Sequence, residues 1–166
     1  LLSQDAIWVG GGSVVNLLAV WRAHGVDAIL RRAWEQGIVL GGVSAGSICW
    51  HLGGTTDSFG PELQPVTNAL GWLPFSNAVH YDTEPGRRAA FTGAVADGMP
   101  PGYGAGDAAA LHFIGTELSE VVSSRPGARA VYVSADGDGG ASERELAVRY
   151  LGSPAETLCS GEAMAA

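Results

Sequence analysis

Apolar residues follow two different periods in the first part of the chain. Short continuous apolar runs at Ala6–Val9 and at residues 38–40 predict buried strands. Between these runs, apolar residues recur every three or four positions: Val14, Leu17, Leu18 and Trp21, then Ile29, Leu30, Ala33 and Trp34. This period predicts two helices, which Gly25 and Gly37 end. Strands that alternate with helices indicate an α/β fold, with helices on both faces of a mostly parallel sheet.

The pattern changes after residue 52. Residues 53–77 are rich in Gly, Pro, Thr and Ser, and we expect them to form a long functional loop. Strands are predicted over residues 78–82, 107–114, 120–123 and 130–133, and a helix over residues 87–95. A Gly/Asp linker at residues 136–142 then leads to a predicted amphipathic tail helix around residues 143–151. We expect residues 1–166 to form a single domain.

Composition narrows the class of protein. Hydrophobic residues make up 46% of the 166 residues and charged residues only 16%, which is typical of a globular domain. The formal net charge is −8, and all 9 basic residues are arginine. Such an acidic surface argues against nucleic acid or an anionic membrane as the partner. No segment reaches the roughly 18 consecutive apolar residues that a membrane span needs.

The two cysteines, Cys49 and Cys159, form neither a C-x-x-C pair nor a metal-binding spacing. We therefore expect one buried thiol and one thiol in the tail. A reducing compartment fits this usage, and we expect a cytoplasmic protein.

One short motif indicates chemistry: Gly42-Val43-Ser44-Ala45-Gly46, which follows the second predicted strand and precedes a helix-compatible stretch. The motif predicts a nucleophile elbow, a sharp turn that raises a serine hydroxyl above the sheet. Glycine is needed at positions 42 and 46, because strand and helix approach too closely there for side chains. The N–H group of Ala45 then lies where it can stabilise an oxyanion. An ordinary tight strand-to-helix turn is the alternative interpretation.

A serine nucleophile needs a general base, and the chain has 4 histidines. His80 fits best, because it lies where a predicted strand enters a turn at the carboxyl edge of the sheet. His24 lies at a helix end, where it interacts with the last carbonyl groups. His51 lies on the predicted helix after Ser44 and points poorly toward it, and His112 alternates within a predicted strand. A solvated histidine is the alternative for His80.

Three motifs occur in an order that resembles the S51 serine peptidases: Gly10-Gly11-Gly12-Ser13, the elbow around Ser44, and His80-Tyr81-Asp82 with arginines just after it. That group contains the aspartyl dipeptidases (peptidase E) and the cyanophycinases. The separation between Ser44 and His80 is similar to that of the dipeptidase branch. The resemblance extends from residue 5 to about residue 133.

This resemblance implies a three-layer α/β sandwich, similar to class I glutamine amidotransferases and flavodoxin-like. It makes Ser44 the nucleophile and His80 the general base, with oxyanion donors at the backbone N–H groups of Gly12 and Ala45. It implies no metal and no cofactor. Members of the family carry further βα units before the first strand found here, so we expect the chain to be truncated at its N-terminus.

The third member of the triad has several candidates. The resemblance implies Asp107, which occupies the place where relatives carry an acidic residue after the histidine. Asp57 and Glu62 are the alternatives, since acidic residues in the loop after the elbow have this role in some members. Each carboxylate would fix the tautomer of the imidazole and stabilise the imidazolium. Turn capping is the structural alternative for Asp57 and Asp107.

Arg87 and Arg88 are the candidate substrate-binding cations, because a planar guanidinium matches a carboxylate with two hydrogen bonds. In the dipeptidase branch an arginine of this region meets the N-terminal aspartate side chain of the substrate. The resemblance therefore implies a serine peptidase for short peptides, including dipeptides with N-terminal Asp. A pair of helix-surface arginines is the alternative.

Two further functions stay open on the sequence alone. An esterase or an amidotransferase-like acyl transferase would use the same elbow. A non-catalytic binding scaffold is the other alternative, and a homodimer is compatible with each of these functions.

Overall fold

The computed structural model describes residues 1–152. The chain begins with a β–α–α–β unit: β1 (Ala6–Val9), α1 (Val14–His24), α2 (Val26–Glu35) and β2 (Val39–Gly42). The two strands pair in parallel. α1 begins where the Ser13 hydroxyl accepts a hydrogen bond from the N–H of Asn16 (3.2 Å), and it ends at Gly25, whose φ of 67° is left-handed. The elements predicted for this unit are confirmed.

The short helix α3 (Ala45–Ile48) follows, and a six-stranded sheet comes after it. The strands of this sheet are β3 (His51–Thr56), β4 (Gln64–Val66), β5 (Leu73–Ala78), β6 (Gly102–Ala105), β9 (Ala130–Ala135) and β10 (Ala141–Glu145). Their order across the sheet is β10, β9, β6, β5, β3, β4. β3, β5 and β6 run parallel, so their carboxyl ends lie at one edge of the sheet. His80 follows β5 at this edge, and Asp107 follows β6.

Different elements cover the two faces of this sheet. The helix α4 (Arg87–Ala96) shares a buried cluster with the sheet that includes Phe91, Val95 and Val133. The opposite face carries Tyr103, because successive strand residues point to opposite faces. There the hairpin β7 (Ala109–Ile114) and β8 (Glu117–Ser123), extended by β11 (Val148–Tyr150), packs Phe113 edge-on against Tyr103, with ring centroids 5.8 Å apart.

The β–α–α–β unit and α3 share a second core, in which Val14, Leu18, Leu30, Ile48 and Cys49 are buried. Full burial of each such aliphatic side chain stabilises the fold by about 1.5–3 kcal/mol. This core packs under the elbow and holds the strand and the helix that flank Ser44.

The prediction of a long loop over residues 53–77 is wrong, because these residues contain most of β3, all of β4 and most of β5. Glycines made the segment resemble a loop, yet here they allow strands to approach closely. A Cβ atom at Gly53 would lie 1.9 Å from the carbonyl oxygen of Val66, and one at Gly54 would lie 1.9 Å from that of Asn77. The strand expected over residues 78–82 is also displaced, since β5 ends at Ala78.

The tail helix expected around residues 143–151 is wrong as well, because β10 and β11 occupy this segment. The residues expected to form a linker make a tight hairpin turn between β9 and β10. The carboxylate of Asp136 closes this turn by accepting hydrogen bonds from the N–H groups of Asp138 and Gly140, both at 2.9 Å. β10 lies at the edge of the sheet, and over so few residues its mixture of exposed and half-buried positions resembles the pattern of an amphipathic helix.

The α/β class is confirmed, but the mostly parallel sheet is not. Residues 1–152 contain four parallel and four antiparallel strand pairs. In the same part of the chain, no helix combines the length and the apolar composition that crossing a membrane requires.

Candidate active site

Ser44 occupies a strained turn between β2 and α3. Its backbone has φ 57° and ψ −118°, a conformation that residues with a side chain rarely adopt. A Cβ atom at Gly42 would lie 2.1 Å from the carbonyl oxygen of Gly46, and one at Gly46 would lie 2.2 Å from that of Val9. Both glycines are therefore required by the close approach of backbone segments, which is the geometry that a nucleophile elbow needs.

The glycine-rich turn after β1 lies beside the elbow. A Cβ atom at Gly11 would lie 3.3 Å from Cβ of Ser44 and 3.8 Å from its Oγ. Gly12 has a φ of 135°, which favours glycine. Ala45 is the first residue of α3. Within residues 1–152 its N–H group donates no hydrogen bond to a backbone carbonyl. The glycine-rich turn and the elbow are neighbours because β1 and β2 pair in parallel and both turns follow the carboxyl ends of these strands.

His80 and Asp107 meet at the carboxyl ends of β5 and β6. Nδ1 of His80 lies 2.7 Å from Oδ1 of Asp107, and Oγ1 of Thr83 donates to Oδ2 of Asp107 at 2.9 Å. The hydrogen bond from His80 is the main cause that lowers the pKa of Asp107 below its ordinary value, and the bond from Thr83 lowers it further. An ionised Asp107 favours the tautomer with the proton on Nδ1, which leaves Nε2 as the basic atom.

The backbone around Asp107 is fixed by Asp82. Oδ1 of Asp82 accepts a hydrogen bond from the N–H of Asp107 at 3.1 Å. A Cβ atom at Gly106 would lie 2.4 Å from Oδ2 of the same carboxylate, so a side chain here would displace Asp82. Asp82 and Gly106 together hold Asp107 in the position from which it contacts His80.

A buried asparagine links the elbow to this pair, and the sequence analysis missed it. Asn77 is fully buried, accepts a hydrogen bond from Oγ of Ser47 at 3.0 Å, and donates one to the carbonyl of Tyr103 at 3.3 Å. Ser47 belongs to α3, Asn77 to β5 and Tyr103 to β6, so one side chain connects the three elements that carry Ser44, His80 and Asp107. The asparagine three residues before His80 is the sequence signal that could have indicated this connection.

Backbone strain is concentrated at the same place. Among residues 1–152, three residues other than glycine have a positive φ: Ser44 (57°), His80 (52°) and Ala108 (68°). Ala108 directly follows Asp107. Each such residue costs about 1–3 kcal/mol and persists only where the surrounding structure holds it. Strain at these three positions is typical of a functional site.

The structure does not join all the candidate residues. Within residues 1–152 the His80 imidazole bonds to Asp107 and not to Ser44. In unliganded enzymes such a bond is often long and tightens only when substrate binds. Asp57 and Glu62 lie exposed in the connection between β3 and β4, away from a hydrogen bond with His80 in the described part of the chain. Of the three carboxylates considered, Asp107 is the one in contact with the histidine.

The two predicted substrate-binding arginines have different environments. Arg87 is 3% exposed, donates from Nη1 to the carbonyl of Thr55 at 2.8 Å, and forms an ion pair with Glu84. A substrate-binding role for Arg87 does not fit this environment, because the guanidinium is buried and engaged inside the fold. Arg88 is exposed and pairs with Glu143 at 2.7 Å. A third arginine that was not predicted, Arg125, is exposed, and its Nη2 donates to the carbonyl of Asp107 at 3.3 Å.

The other singled-out groups lie outside this arrangement. His51 belongs to β3 rather than to the helix after Ser44, and its Nδ1 bonds to the carbonyl of Ser47 at 2.9 Å. Burial lowers the pKa of His51 to about 4. Cys49 is buried, and burial raises the pKa of its thiol. Cys159 lies outside the described residues.

The fold and the site define an α/β protein with a serine at a nucleophile-elbow turn. The chain belongs to peptidase family S51, whose family model matches residues 1–121. The expected resemblance to this family is confirmed.

Two curated relatives are similar to the chain. The uncharacterized peptidase YgaJ of Bacillus subtilis (strain 168) is 44% identical over 153 residues, which cover 92% of this chain and 65% of that protein. Peptidase E of Shewanella denitrificans is 38% identical over 78 residues, which cover 46% of this chain and 33% of that protein. The chain thus spans about two thirds of the first relative and one third of the second.

Proposed function

We propose that this chain carries the catalytic centre of a serine-type peptidase, with Ser44 as nucleophile, His80 as general base and Asp107 as the carboxylate that orients His80. The observation that carries the proposal is the 2.7 Å hydrogen bond between His80 and Asp107, in a chain whose positive-φ backbone falls at Ser44, His80 and next to Asp107. Asp57 and Glu62 are then ordinary surface carboxylates.

The reaction follows from these positions. Nε2 of His80 accepts the proton of the Ser44 hydroxyl while Oγ attacks the peptide carbonyl carbon. The N–H groups of Gly12 and Ala45 stabilise the oxyanion that forms. The C–N bond then breaks, the leaving amine takes the proton from His80, and an acyl-enzyme remains. A water molecule, deprotonated by His80, releases the acyl group and restores Ser44.

For the substrate we propose short peptides, including dipeptides with N-terminal Asp. An acidic substrate group needs a cation near the site, and Arg125 lies next to Asp107, whereas Arg87 is buried. Arg88 is the second candidate, because it is exposed although paired with Glu143. A planar guanidinium at either place would bind a carboxylate through two hydrogen bonds.

The remaining expectations stay predictions. The class I glutamine amidotransferase-like sandwich agrees with the parallel strands β3, β5 and β6 and the elbow after β2. A cytoplasmic location and a homodimer also stay predictions.

Labelling with a biotin-tagged fluorophosphonate, which reacts with activated serines, tests the proposal. We expect covalent labelling of the full chain at Ser44 and none of the Ser44→Ala variant, together with a loss of peptide hydrolysis by several orders of magnitude. Ser3→Ala, at an exposed serine near the start of the chain, is the control and should label normally. Unlabelled wild-type protein would favour a binding scaffold, and turnover of esters without peptides would favour an acyl transferase.

A further inference from the structure

A pocket of about 300 Å³ lies between α1 and the elbow. Gly10, Gly11 and Ala45 form the wall next to the candidate active site, and Leu17, Val20 and Trp21 form the opposite wall. Gly11 places this pocket beside the reacting atoms, because a Cβ atom there would lie 3.8 Å from Oγ of Ser44. A group held in the pocket would therefore be close to any bond that Ser44 attacks.

The walls of the pocket are suited to apolar groups. The lining residues include no ionisable side chain, and three large apolar side chains of α1 face the backbone of the two turns. The hydroxyl of Ser13, which also lines the pocket, is already engaged by the N–H of Asn16. Val20 is 55% exposed, so part of this apolar wall is in contact with solvent. An apolar group that enters the pocket would cover this surface, which is favourable.

The size of the pocket restricts its occupant. A volume of about 300 Å³ is at the lower end of the range for small-molecule sites and is large enough for a leucine or an aromatic side chain. An aspartate side chain would lose its hydration there without gaining a cation, which makes its entry unfavourable.

We propose that this pocket binds an apolar side chain of the substrate residue on the amine side of the bond that Ser44 attacks. The proposal rests on the proposed serine peptidase function and specifies its substrate. The preferred substrates then carry an aliphatic or aromatic residue next to the bond that is cleaved, in addition to any acidic group.

Two dipeptides, Asp-Leu and Asp-Ala, test this pocket in the full chain, because they share the acidic residue and differ only in the apolar residue on the amine side of the cleaved bond. We expect kcat/KM for Asp-Leu to exceed that for Asp-Ala by roughly ten-fold or more, the discrimination that extra methylene groups give in an apolar pocket. Val20→Asp places a charge in the wall and should remove most of this preference. Ala19→Asp is the matched control, since the same charge on the neighbouring exposed position of α1 lies outside the pocket and should preserve the preference.

A change in the other direction completes the test. Asn16→Leu replaces an exposed polar lining residue with an apolar one and should increase the preference for Asp-Leu. Equal kcat/KM values for the two dipeptides, with activity that still depends on Ser44, would overturn the pocket assignment and leave the proposed function standing. Hydrolysis no faster than that of the Ser44→Ala variant would overturn the proposed function and the pocket assignment with it.

Discussion

The imidazole of His80 and the carboxylate of Asp107 are 2.7 Å apart although 26 residues separate them in the chain, because the parallel strands β5 and β6 end side by side. The carboxylate has a second donor in Thr83, and the backbone N–H of Asp107 donates to the carboxylate of Asp82. Its geometry is therefore set by the fold and does not depend on a bound substrate.

Replacing Asp107 with Asn should lower kcat strongly. The amide cannot hold the imidazole in the tautomer with basic Nε2, and in serine proteases such a change costs about 10⁴ in kcat. Asp57→Asn is the control, because Asp57 is exposed and makes no contact with His80 in the described structure. Steady-state kinetics on a short peptide would measure both variants. The opposite ranking would assign the orienting role to the loop after β3.

Gly46→Ala should destabilise the fold, since its Cβ would lie 2.2 Å from the carbonyl oxygen of Val9, a distance that no real contact reaches. We expect a loss of about 3 kcal/mol in the free energy of unfolding, measured by urea denaturation. Gly93→Ala is the control, because its Cβ would meet nothing within 4 Å in the middle of α4. That change should stabilise the protein by about 0.5–1 kcal/mol. Similar results for the two variants would contradict the elbow geometry.

Arg87→Ala should reduce stability rather than substrate affinity. The buried guanidinium donates to the carbonyl of Thr55, and its removal leaves that oxygen unsatisfied, at a cost of about 2 kcal/mol. Arg88→Ala should change the unfolding free energy little, because Arg88 is exposed to solvent. Urea denaturation and KM determined on both variants distinguish these roles. A raised KM for Arg87→Ala with unchanged stability would restore Arg87 as a substrate-binding residue.

His51 should make the fold sensitive to mild acid. The unfolded chain binds a proton at this residue near pH 6.5, whereas burial lowers the pKa of the folded state to about 4. Between these values the unfolded state binds more protons, so stability falls as the pH is lowered, by roughly 2 kcal/mol from pH 7 to pH 5. Asp107 does not contribute in this window, because its folded pKa lies below its unfolded value near 3.8 and its own loss begins at lower pH.

Urea denaturation at pH 7 and pH 5 measures this effect. His51→Phe keeps a ring of similar size against Phe113 and removes the titrating group, so its stability should depend less on pH over the same range. An unchanged difference between pH 7 and pH 5 in the variant would show that another group is responsible.

Local patterns in the sequence were sufficient to predict the β–α–α–β unit and the turn at Ser44. Helical spacing with glycine at the ends determined α1 and α2, and the small residues around Ser44 determined the turn, because these features depend on contacts within a few residues. Patterns failed at β3 to β5 and at β10. The glycines of β3 allow strands that are distant in sequence to approach closely. The exposure pattern of β10 results from its position at the edge of the sheet.

By itself, the sequence determined the α/β class, the strained turn at Ser44 and the candidate histidine. Only the tertiary structure showed that Asp107 contacts His80, that Arg87 is buried and that Arg125 is exposed beside Asp107. It also showed that Asn77 connects the three elements. The physical reason is that a turn arises from the conformational limits of neighbouring residues, whereas hydrogen bonds and burial depend on which strand ends the sheet brings together.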